Sequence, residues 1–386
     1  MAIADINSIP YEAPLGIKEP AFTWVMSQNK KGANGSTQSL PEEDLKSVQG
    51  KWIIISGSNN GIGREAAIEF ARNGANLVLA CRDPPPHETH PEVVVAECLE
   101  AAKQRGHYKT SIEWWPLDSA NLSTVEAFCT RWLDTGRALD ILCNNAGIGS
   151  SPGGNNIFKT KDGFEIVHQV NLLSHVLITL RLLPSLAKAP APRVICTTSC
   201  FHYLGKFDLS NFNGGQGALV GEGVQLYQNN KLYFQVWLTE LQRRLLLHPE
   251  YKHITVNGVH PGYVNSGIWN VNSNSFLTPV ISTVLKTMSY FLGITPQQGS
   301  LCLLHAATSL TAGPDPEVQG VGLHGGKGGG RYFSRIWEEE PMPHARDADC
   351  RMRVWRKVND ELKLQDKGLL DVVGLSYEPE AIKAQL

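Results

Sequence analysis

Two residues suited to proton transfer lie one helical turn apart, Tyr227 and Lys231. They belong to a run in which apolar residues recur at helical spacing, so an amphipathic helix would present both on one face. A phenol ordinarily keeps its proton to about pH 10, and a nearby ammonium lowers that pKa. We therefore expect Tyr227 to act as a general acid or base toward an alcohol or a carbonyl. Because the same spacing also arises on solvent-exposed helices, the interpretation depends on the segments around it.

A glycine-rich loop lies far upstream of this pair, between a predicted buried strand at 51–56 and a predicted helix at 64–72. In that context glycines let the backbone turn tightly, and the helix N-terminus offers N–H groups to a pyrophosphate. An ordinary strand-to-helix turn is the alternative. The predicted dinucleotide-binding residues of the loop are Gly57, Ser58, Asn59, Asn60, Gly61, Ile62 and Gly63.

The next predicted strand, 76–81, ends beside the expected position of the adenosine ribose. Arg82 follows it, and Arg64 opens the helix after the glycine loop. Both arginines favour a 2′-phosphate, which predicts NADP (NADPH) in preference to NAD. In the alternative, Asp83 binds the ribose hydroxyls and Arg82 is merely solvated.

Predicted strands and helices alternate along the rest of the chain, which indicates a parallel sheet. We predict an α/β fold with a doubly wound parallel sheet (Rossmann) in a single domain, 49–366. An N-terminal arm, 1–48, and a C-terminal extension with a tail at 367–386 flank it, and Asn29–Ser36 has the composition of a flexible linker. The other predicted elements are a helix near 92–105, a strand at 112–117, a helix at 122–133, a strand at 139–143, one long helix at 163–186 and a strand at 193–199.

Polar residues follow several of these strands, where ligands bind in such folds. Asp118 follows one strand, Asn144-Asn145-Ala146-Gly147 follows another, and Ser199 ends a third. Asn171 lies in the middle of the long predicted helix, where asparagine is unfavourable. It is either an exposed helical residue or a polar group directed at the site.

Composition narrows the class of protein. The 386 residues carry a net charge of −2 with 42% hydrophobic residues, which predicts a folded protein and does not favour nucleic-acid binding. Eight scattered cysteines predict free thiols in a reducing compartment and no metal site. Neither a signal peptide nor a membrane-spanning stretch is predicted.

With these motifs in this order, residues 50–360 resemble the short-chain dehydrogenase/reductases. Within that family they look like the retinol-dehydrogenase-like and WW-oxidoreductase-like branch. This branch includes fungal members at lipid droplets and the endoplasmic reticulum. The resemblance implies a catalytic set of Asn171, Ser199, Tyr227 and Lys231. It also implies that Pro261, Gly262, Val264 and Ser266 abut the nicotinamide, and that Asp118, Asn144, Ala146 and Gly147 contact the cofactor. The segments that match the branch are 80–83, 295–300, 329–334 and the pair Val354-Trp355.

These residues predict an NADP-dependent enzyme that interconverts a carbonyl and an alcohol by hydride transfer. A non-catalytic dinucleotide sensor or scaffold of the same fold is one alternative, and an isomerase, dehydratase or ring-opening enzyme is another. We predict a cytoplasmic protein, with peripheral association at the endoplasmic reticulum or lipid droplets left open. The resemblance does not decide the oligomeric state, since family members often dimerise through the two long helices and the lipid-associated branch is often monomeric.

The substrate side is predicted from a segment with helical apolar periodicity, 276–294. It is either a buried lid helix, within a lid at about 263–295, or a helix that rests on a membrane or lipid droplet. Aromatic walls predict a bulky apolar substrate such as a sterol, retinoid, terpenoid or polyketide-type ketone. Those predicted wall residues are Phe201, His202, Tyr203, Tyr263 and Trp269, of which His202 is more typical of a structural histidine than of a catalytic one.

Overall fold

A parallel sheet organises the chain. The computed structural model describes residues 10–86, 88–150, 157–215, 223–265, 293–313 and 329–369. Within these ranges the strands pair in the order β3-β2-β1-β4-β5-β6-β7-β8, and all neighbours are parallel except β7 and β8. The strands are β1 Trp52–Ser56, β2 Asn76–Cys81, β3 Ile112–Pro116, β4 Ile141–Asn144, β5 Arg193–Thr197, β6 Thr255–His260, β7 Tyr332–Ser334 and β8 Trp337–Glu339.

Helices cover both faces of the sheet, and each face has its own apolar core. This is the doubly wound parallel architecture that the alternation of elements predicted, and the prediction of the fold class is confirmed. The helices are α1 Phe22–Gly32, α2 Glu42–Lys46, α3 Gly61–Arg72, α4 Pro91–Gln104, α5 Leu122–Asp134, α6 Ile166–His168, α7 Ser174–Leu186, α8 Gly223–Leu247, α9 Pro296–Thr308 and α10 Ala348–Leu362.

The strand order reverses between β1 and β4, which are hydrogen-bonded neighbours although two strands separate them in sequence. Chains leaving such a pair diverge to opposite sides of the sheet, and a crevice opens beyond the carboxyl ends of the strands. The glycine loop leaves β1 at this crevice, and Asn145-Ala146-Gly147 leaves β4 beside it.

The predicted long helix at 163–186 is wrong at its start and in its regularity. Glu165 caps the helix by accepting a hydrogen bond from His168 N, so the helix begins at Ile166. Between α6 and α7 the chain makes a π-helical turn, Gln169–Leu173. Among the described residues, only the stretch Ile166–Leu186 is long and apolar enough to cross a bilayer, and it is largely buried inside the fold, as is typical of a core helix.

The linker interpretation of Asn29–Ser36 is wrong for its first half, because Asn29–Gly32 forms the end of α1. The buried residues of α1 recur at helical spacing, but they are Val25, Gln28, Asn29 and Gly32. A face so poor in large apolar side chains leaves no hydrophobic period in the sequence. The helix packs against the 3-10 helix Cys200–Leu204.

The C-terminal helix α10 covers the outer side of α8. Trp355 stacks on Trp237 at a ring-centroid distance of 6.1 Å. Nearby, Glu240 is buried and accepts bonds from Arg243, Arg244 and Arg351. A buried carboxylate needs such partners, since an unpaired charge in the interior is costly.

The boundaries of the arm, domain and tail stay predictions.

Candidate active site

The glycine loop joins β1 to α3 in a conformation that only glycines adopt easily. Gly57 and Gly61 have φ values of +65° and +58°. A Cβ on Gly63 would lie 2.3 Å from the Gly57 carbonyl oxygen and one on Gly57 2.8 Å from the Ala146 Cα, so both positions exclude any side chain. By contrast, nothing lies within 4 Å of a Cβ on Gly61, at the first turn of α3. No side chain caps that helix, so its first N–H groups fit a phosphate.

Ser56 and Asn145 fix the loop to the end of β4. The Ser56 hydroxyl accepts hydrogen bonds from Asn145 N at 2.9 Å and from Ala146 N at 3.0 Å. The Asn145 amide donates to the carbonyl oxygens of Ser56 and Gly57 at 3.0 and 3.2 Å. Sequence reasoning did not select Asn145, although it lies next to the predicted Asn144. Alternation along β4 is the signal that distinguishes the two, since successive side chains point to opposite sides.

We expect Ser56→Ala to weaken both the fold and dinucleotide binding. Without the hydroxyl, two N–H groups lose their acceptor, and an unpaired buried group costs about 1–3 kcal/mol. Ser56→Thr is the matched control, because it keeps a hydroxyl at the same position. Urea unfolding measures the effect on stability, and dinucleotide titration measures the effect on affinity. Equal stability and equal affinity in the two variants would contradict the role of the Ser56 hydroxyl in fixing the loop.

Tyr227 and Ser199 lie together at the carboxyl end of β5. The Tyr227 side chain comes from α8 and is buried, and the Ser199 side chain lies close enough to lower the pKa of its hydroxyl. Ser199 Oγ also accepts a bond from Phe201 N at 3.1 Å and so begins the 3-10 helix Cys200–Leu204. The Phe201 ring meets Tyr227 edge-on at 6.3 Å.

Lys231 lies one turn along α8, with Nζ 5.5 Å from the centroid of the Tyr227 ring. Its ammonium is buried and donates to the Thr197 carbonyl oxygen at 2.7 Å. Burial lowers the pKa of Lys231 to about 8, because desolvation disfavours the charged form.

The predicted lowering of the Tyr227 pKa is wrong for the protein without its cofactor. Burial raises the pKa of the Tyr227 hydroxyl above its ordinary value, and the nearby Ser199 side chain acts in the opposite direction. The physical reason is that a phenolate loses its hydration in the interior. Tyr227 is therefore fully protonated at neutral pH in this state.

Asn171 lies at the centre of the π-helical turn and is completely buried, so the exposed interpretation is wrong. Its side chain accepts from Ile148 N at 2.9 Å and donates to Ile148 O at 2.8 Å. A Cβ on Gly147 would lie 3.2 Å from Asn171 Oδ1 and 3.7 Å from Lys231 Nζ. Gly147 therefore lies between the amide and the ammonium, and the described structure brings all four predicted catalytic residues to one region.

A buried polar chain joins this region to the C-terminal helix. His168, one turn before Asn171, contacts Asn230 Oδ1 on α8 and Glu361 Oε2 on α10, each at 2.7 Å. Burial opposes protonation of His168, but Glu361 and Asn230 prevail and raise its pKa. These contacts fix the helices that carry Asn171 and Lys231 relative to each other.

At the adenosine end, Arg82 is half exposed and pairs with Glu88 at 2.7 Å. Glu88 also accepts from the Asn59 amide at 3.4 Å. Arg64, the other arginine of the NADP argument, pairs with Glu65 and Glu97, so the preference for NADP stays a prediction. Arg82 therefore lies at the end of β2, half exposed and paired with one carboxylate.

The remaining predicted cofactor residues take varied positions. Asp118 accepts from Ala120 N at 2.9 Å in the turn before α5. The Asn144 side chain is turned into the core, where its amide donates to Thr179 Oγ1 at 2.7 Å. Ala146 O is held by the buried His175 ring at 2.7 Å. Asn144 therefore offers only its backbone to a ligand.

The segment after β6 turns sharply at Gly262, which has a φ of +91°. A bridge between Val264 and Ile294 closes the turn. Val264 also packs at Gly299. A Cβ on Gly299 would lie 2.5 Å from Val264 Cγ2 and 2.8 Å from Ile62 Cγ2. The Pro261–Val264 segment thus lies beside the glycine loop. Ser266, Trp269 and all but the last two residues of the predicted helix 276–294 lie outside the described residues.

The predicted aromatic wall is only partly available to a substrate. Phe201 and Tyr263 meet edge-on at 5.8 Å beside Tyr227. Tyr203 is instead buried between Trp24 and Tyr332, with its hydroxyl bonded to Glu340 O. Both nitrogens of His202 are engaged, by Ser199 O at 2.6 Å and Met342 N at 3.0 Å, as suits a structural histidine.

Comparisons with known proteins show what this chain is similar to. A family model described as short chain dehydrogenase matches residues 51–275. Retinol dehydrogenase 14 of Homo sapiens is 33% identical over 324 residues, which cover 80% of this chain and 85% of the relative. Polyprenol dehydrogenase of Mus musculus is 31% identical over 336 residues, 85% of this chain and 88% of the relative. An uncharacterized protein from Mycobacterium paratuberculosis shares the fold, with a TM-score of 0.55 at 24% identity over 86% of this chain and 98% of that one.

Proposed function

The chain belongs to the short-chain dehydrogenase/reductase family, in its retinol-dehydrogenase-like branch, and from this premise we propose that it interconverts a carbonyl and an alcohol on a bulky apolar substrate with NADP(H). The observation that carries the proposal is the buried Tyr227 side chain, close to Ser199 and one turn from a buried lysine. A non-catalytic dinucleotide sensor would not need this costly arrangement of desolvated groups.

Tyr227 is the general acid in reduction. Its raised pKa keeps the proton on the hydroxyl until substrate binds, which is the form that reduction needs. Ser199 donates to the substrate oxygen and stabilises the negative charge that develops there. In the oxidation direction Tyr227 is the base, and the positive charge of Lys231 favours the phenolate.

Lys231 holds the reactive end of the site together. Its bond to the Thr197 carbonyl oxygen fixes the ammonium at the end of β5 and leaves further N–H groups for the nicotinamide ribose. A bound nicotinamide supplies the carbon that gives or accepts the hydride and, when oxidised, a positive charge. Asn171 holds the Ile148 backbone and, with Gly147, shapes the wall behind the ammonium, where a water chain is part of the proposal.

The NADP preference rests on Arg82 alone. A guanidinium at the end of β2 suits the 2′-phosphate, because charge-assisted bonds to phosphate are strong. Its partner Glu88 must release it when that phosphate binds. The alternative, in which Asp83 binds the ribose diol of NAD, predicts the opposite preference.

The substrate class is proposed from two independent features. Retinol and polyprenol dehydrogenases act, by their names, on apolar isoprenoid alcohols. In this chain the Phe201 and Tyr263 rings pack beside the Tyr227 hydroxyl. We propose a cytoplasmic enzyme, which agrees with eight cysteines that are all free and buried.

Oxidation of NADPH, followed at 340 nm against a panel of ketones and aldehydes, tests the proposed activity. We expect turnover of bulky apolar carbonyls and little turnover of small polar ones. A protein that binds NADPH in a thermal-shift assay but oxidises none would be a sensor, and product formation without net NADPH consumption would indicate an isomerase or dehydratase.

The affinity for the dinucleotide should fall above about pH 8. Burial lowers the pKa of Lys231 to about 8, so its ammonium is present below that pH and lost as the pH rises through it. Titration of NADPH binding between pH 6 and pH 10 measures the effect. Lys231→Met should bind weakly at every pH, and an unchanged pH dependence in that variant would contradict the assignment.

A further inference from the structure

We propose that the N-terminal arm is a working part of the active site: Gly32, the last residue of α1, positions the loop that carries Ser199, and residues 34–38 position the turn at Gly262. The contacts of the arm do not depend on the proposed function, whereas the expected effect on catalysis does.

The arm reaches the site through α1. Its buried face packs on the 3-10 helix Cys200–Leu204, and Trp24 meets Tyr203 edge-on at 5.7 Å. This 3-10 helix follows Ser199 directly and is capped by the Ser199 hydroxyl. A displacement of the 3-10 helix therefore displaces the serine that lies beside Tyr227.

Gly32 packs tightly against Cys200 and His260. A Cβ at this position would lie 2.5 Å from the Cys200 Cβ and 3.3 Å from His260 Nε2. Because the Cys200 Cβ is fixed to the backbone, no rotation of a side chain relieves that overlap. The Gly32 carbonyl oxygen also accepts from His260 Nε2 at 3.1 Å, and burial lowers the pKa of His260 to about 4, so the ring is neutral. One backbone position thus contacts the segments that follow both β5 and β6.

The next residues of the arm cross the turn after β6. The buried Arg335 guanidinium donates to Asn34 O at 3.1 Å and Ser36 O at 2.6 Å, and its stem packs at Gly262, where a Cβ would lie 3.1 Å from Arg335 Cδ. The side chain of Gln298, at the start of α9, accepts from Gln38 N at 2.8 Å and donates to Gln38 O at 3.0 Å. Its Oε1 also accepts from Arg335 at 2.8 Å. These bonds tie the arm to the Pro261–Val264 segment.

The test adds one methyl group at the contact between Gly32 and Cys200. Gly32→Ala forces Cys200 to shift, and we expect kcat to fall about 10- to 100-fold, since a misplacement of about 1 Å costs on that order. Gly16→Ala is the control in the same arm, because nothing lies within 4 Å of a Cβ there. Cys200→Gly removes the opposing Cβ, so Gly32→Ala should lower kcat much less in the Cys200→Gly background than it does in wild type.

Amide hydrogen exchange gives a readout that does not depend on activity. In Gly32→Ala we expect faster exchange in peptides covering 199–205, with β1 unchanged. If wild type turns over no alcohol or carbonyl, the proposed function fails while this comparison still tests the arm. Unchanged kcat and unchanged exchange in Gly32→Ala would overturn the proposal. If that variant does not fold, Gln298→Ala replaces it, with faster exchange at 34–40 and 261–265 as the supporting result and wild-type exchange as the opposing one.

Discussion

The Tyr227→Phe variant should lose about 10²- to 10⁴-fold in kcat, the range that a positioned general acid contributes. The substitution removes one hydroxyl beside Ser199 and leaves the ring against Phe201. Dinucleotide affinity should remain, because the glycine loop and Lys231 are unchanged. Stability should change by only about 0.5–1.5 kcal/mol, the usual net contribution of one hydrogen bond.

Tyr233→Phe is the matched control for this experiment. Tyr233 lies on the same helix and is equally buried, but its hydroxyl donates to Asp208 O at 2.8 Å, away from the site. It should lose similar stability and no activity. If Tyr227→Phe kept wild-type turnover, or if Tyr233→Phe lost as much, the role given to Tyr227 would be refuted.

The Arg82→Ala variant should bind NADPH about 10- to 100-fold more weakly and NADH as before, because a charge-assisted contact contributes about 1.5–3 kcal/mol. Isothermal titration with both dinucleotides measures the ratio. Arg64→Ala is the comparison, since its guanidinium is engaged by Glu65 and Glu97 and should not change the ratio.

Glu88→Gln tests the role of Arg82 by changing its ion-pair partner. Removal of its charge frees Arg82 from the 2.7 Å ion pair and should raise NADPH affinity relative to NADH. A preference for NADH in wild type, or a loss of NADH affinity in Arg82→Ala, would favour the alternative in which Asp83 binds the ribose.

The sheet was predictable because each buried strand before residue 200 is a short apolar run that ends in a glycine or polar turn. The errors concern elements that lack such a pattern. The buried face of α1 contains glutamine, asparagine and glycine, and β7 and β8 have three residues each. The π-helical turn at Asn171 depends on bonds with Ile148, which no local period encodes.

The site was predictable as a set of residue types and not in its electrostatics. One turn of helix is enough to place Tyr227 beside Lys231, and Asn145 could have been found from alternation along β4. The direction of the Tyr227 pKa shift could not be predicted, because it depends on how completely the folded chain removes water from the hydroxyl. The contact of Gly32 with Cys200 joins residues far apart in sequence and carries no motif.

Hydride transfer itself is tested most directly by isotope. With NADPH that carries deuterium at both C4 positions and a bulky apolar ketone, the product alcohol should carry one deuterium on its carbinol carbon when wild type is the catalyst. Tyr227→Phe should yield almost none in the same time. Product without deuterium, or equal labelled product from both proteins, would contradict a dehydrogenase in which Tyr227 supplies the proton.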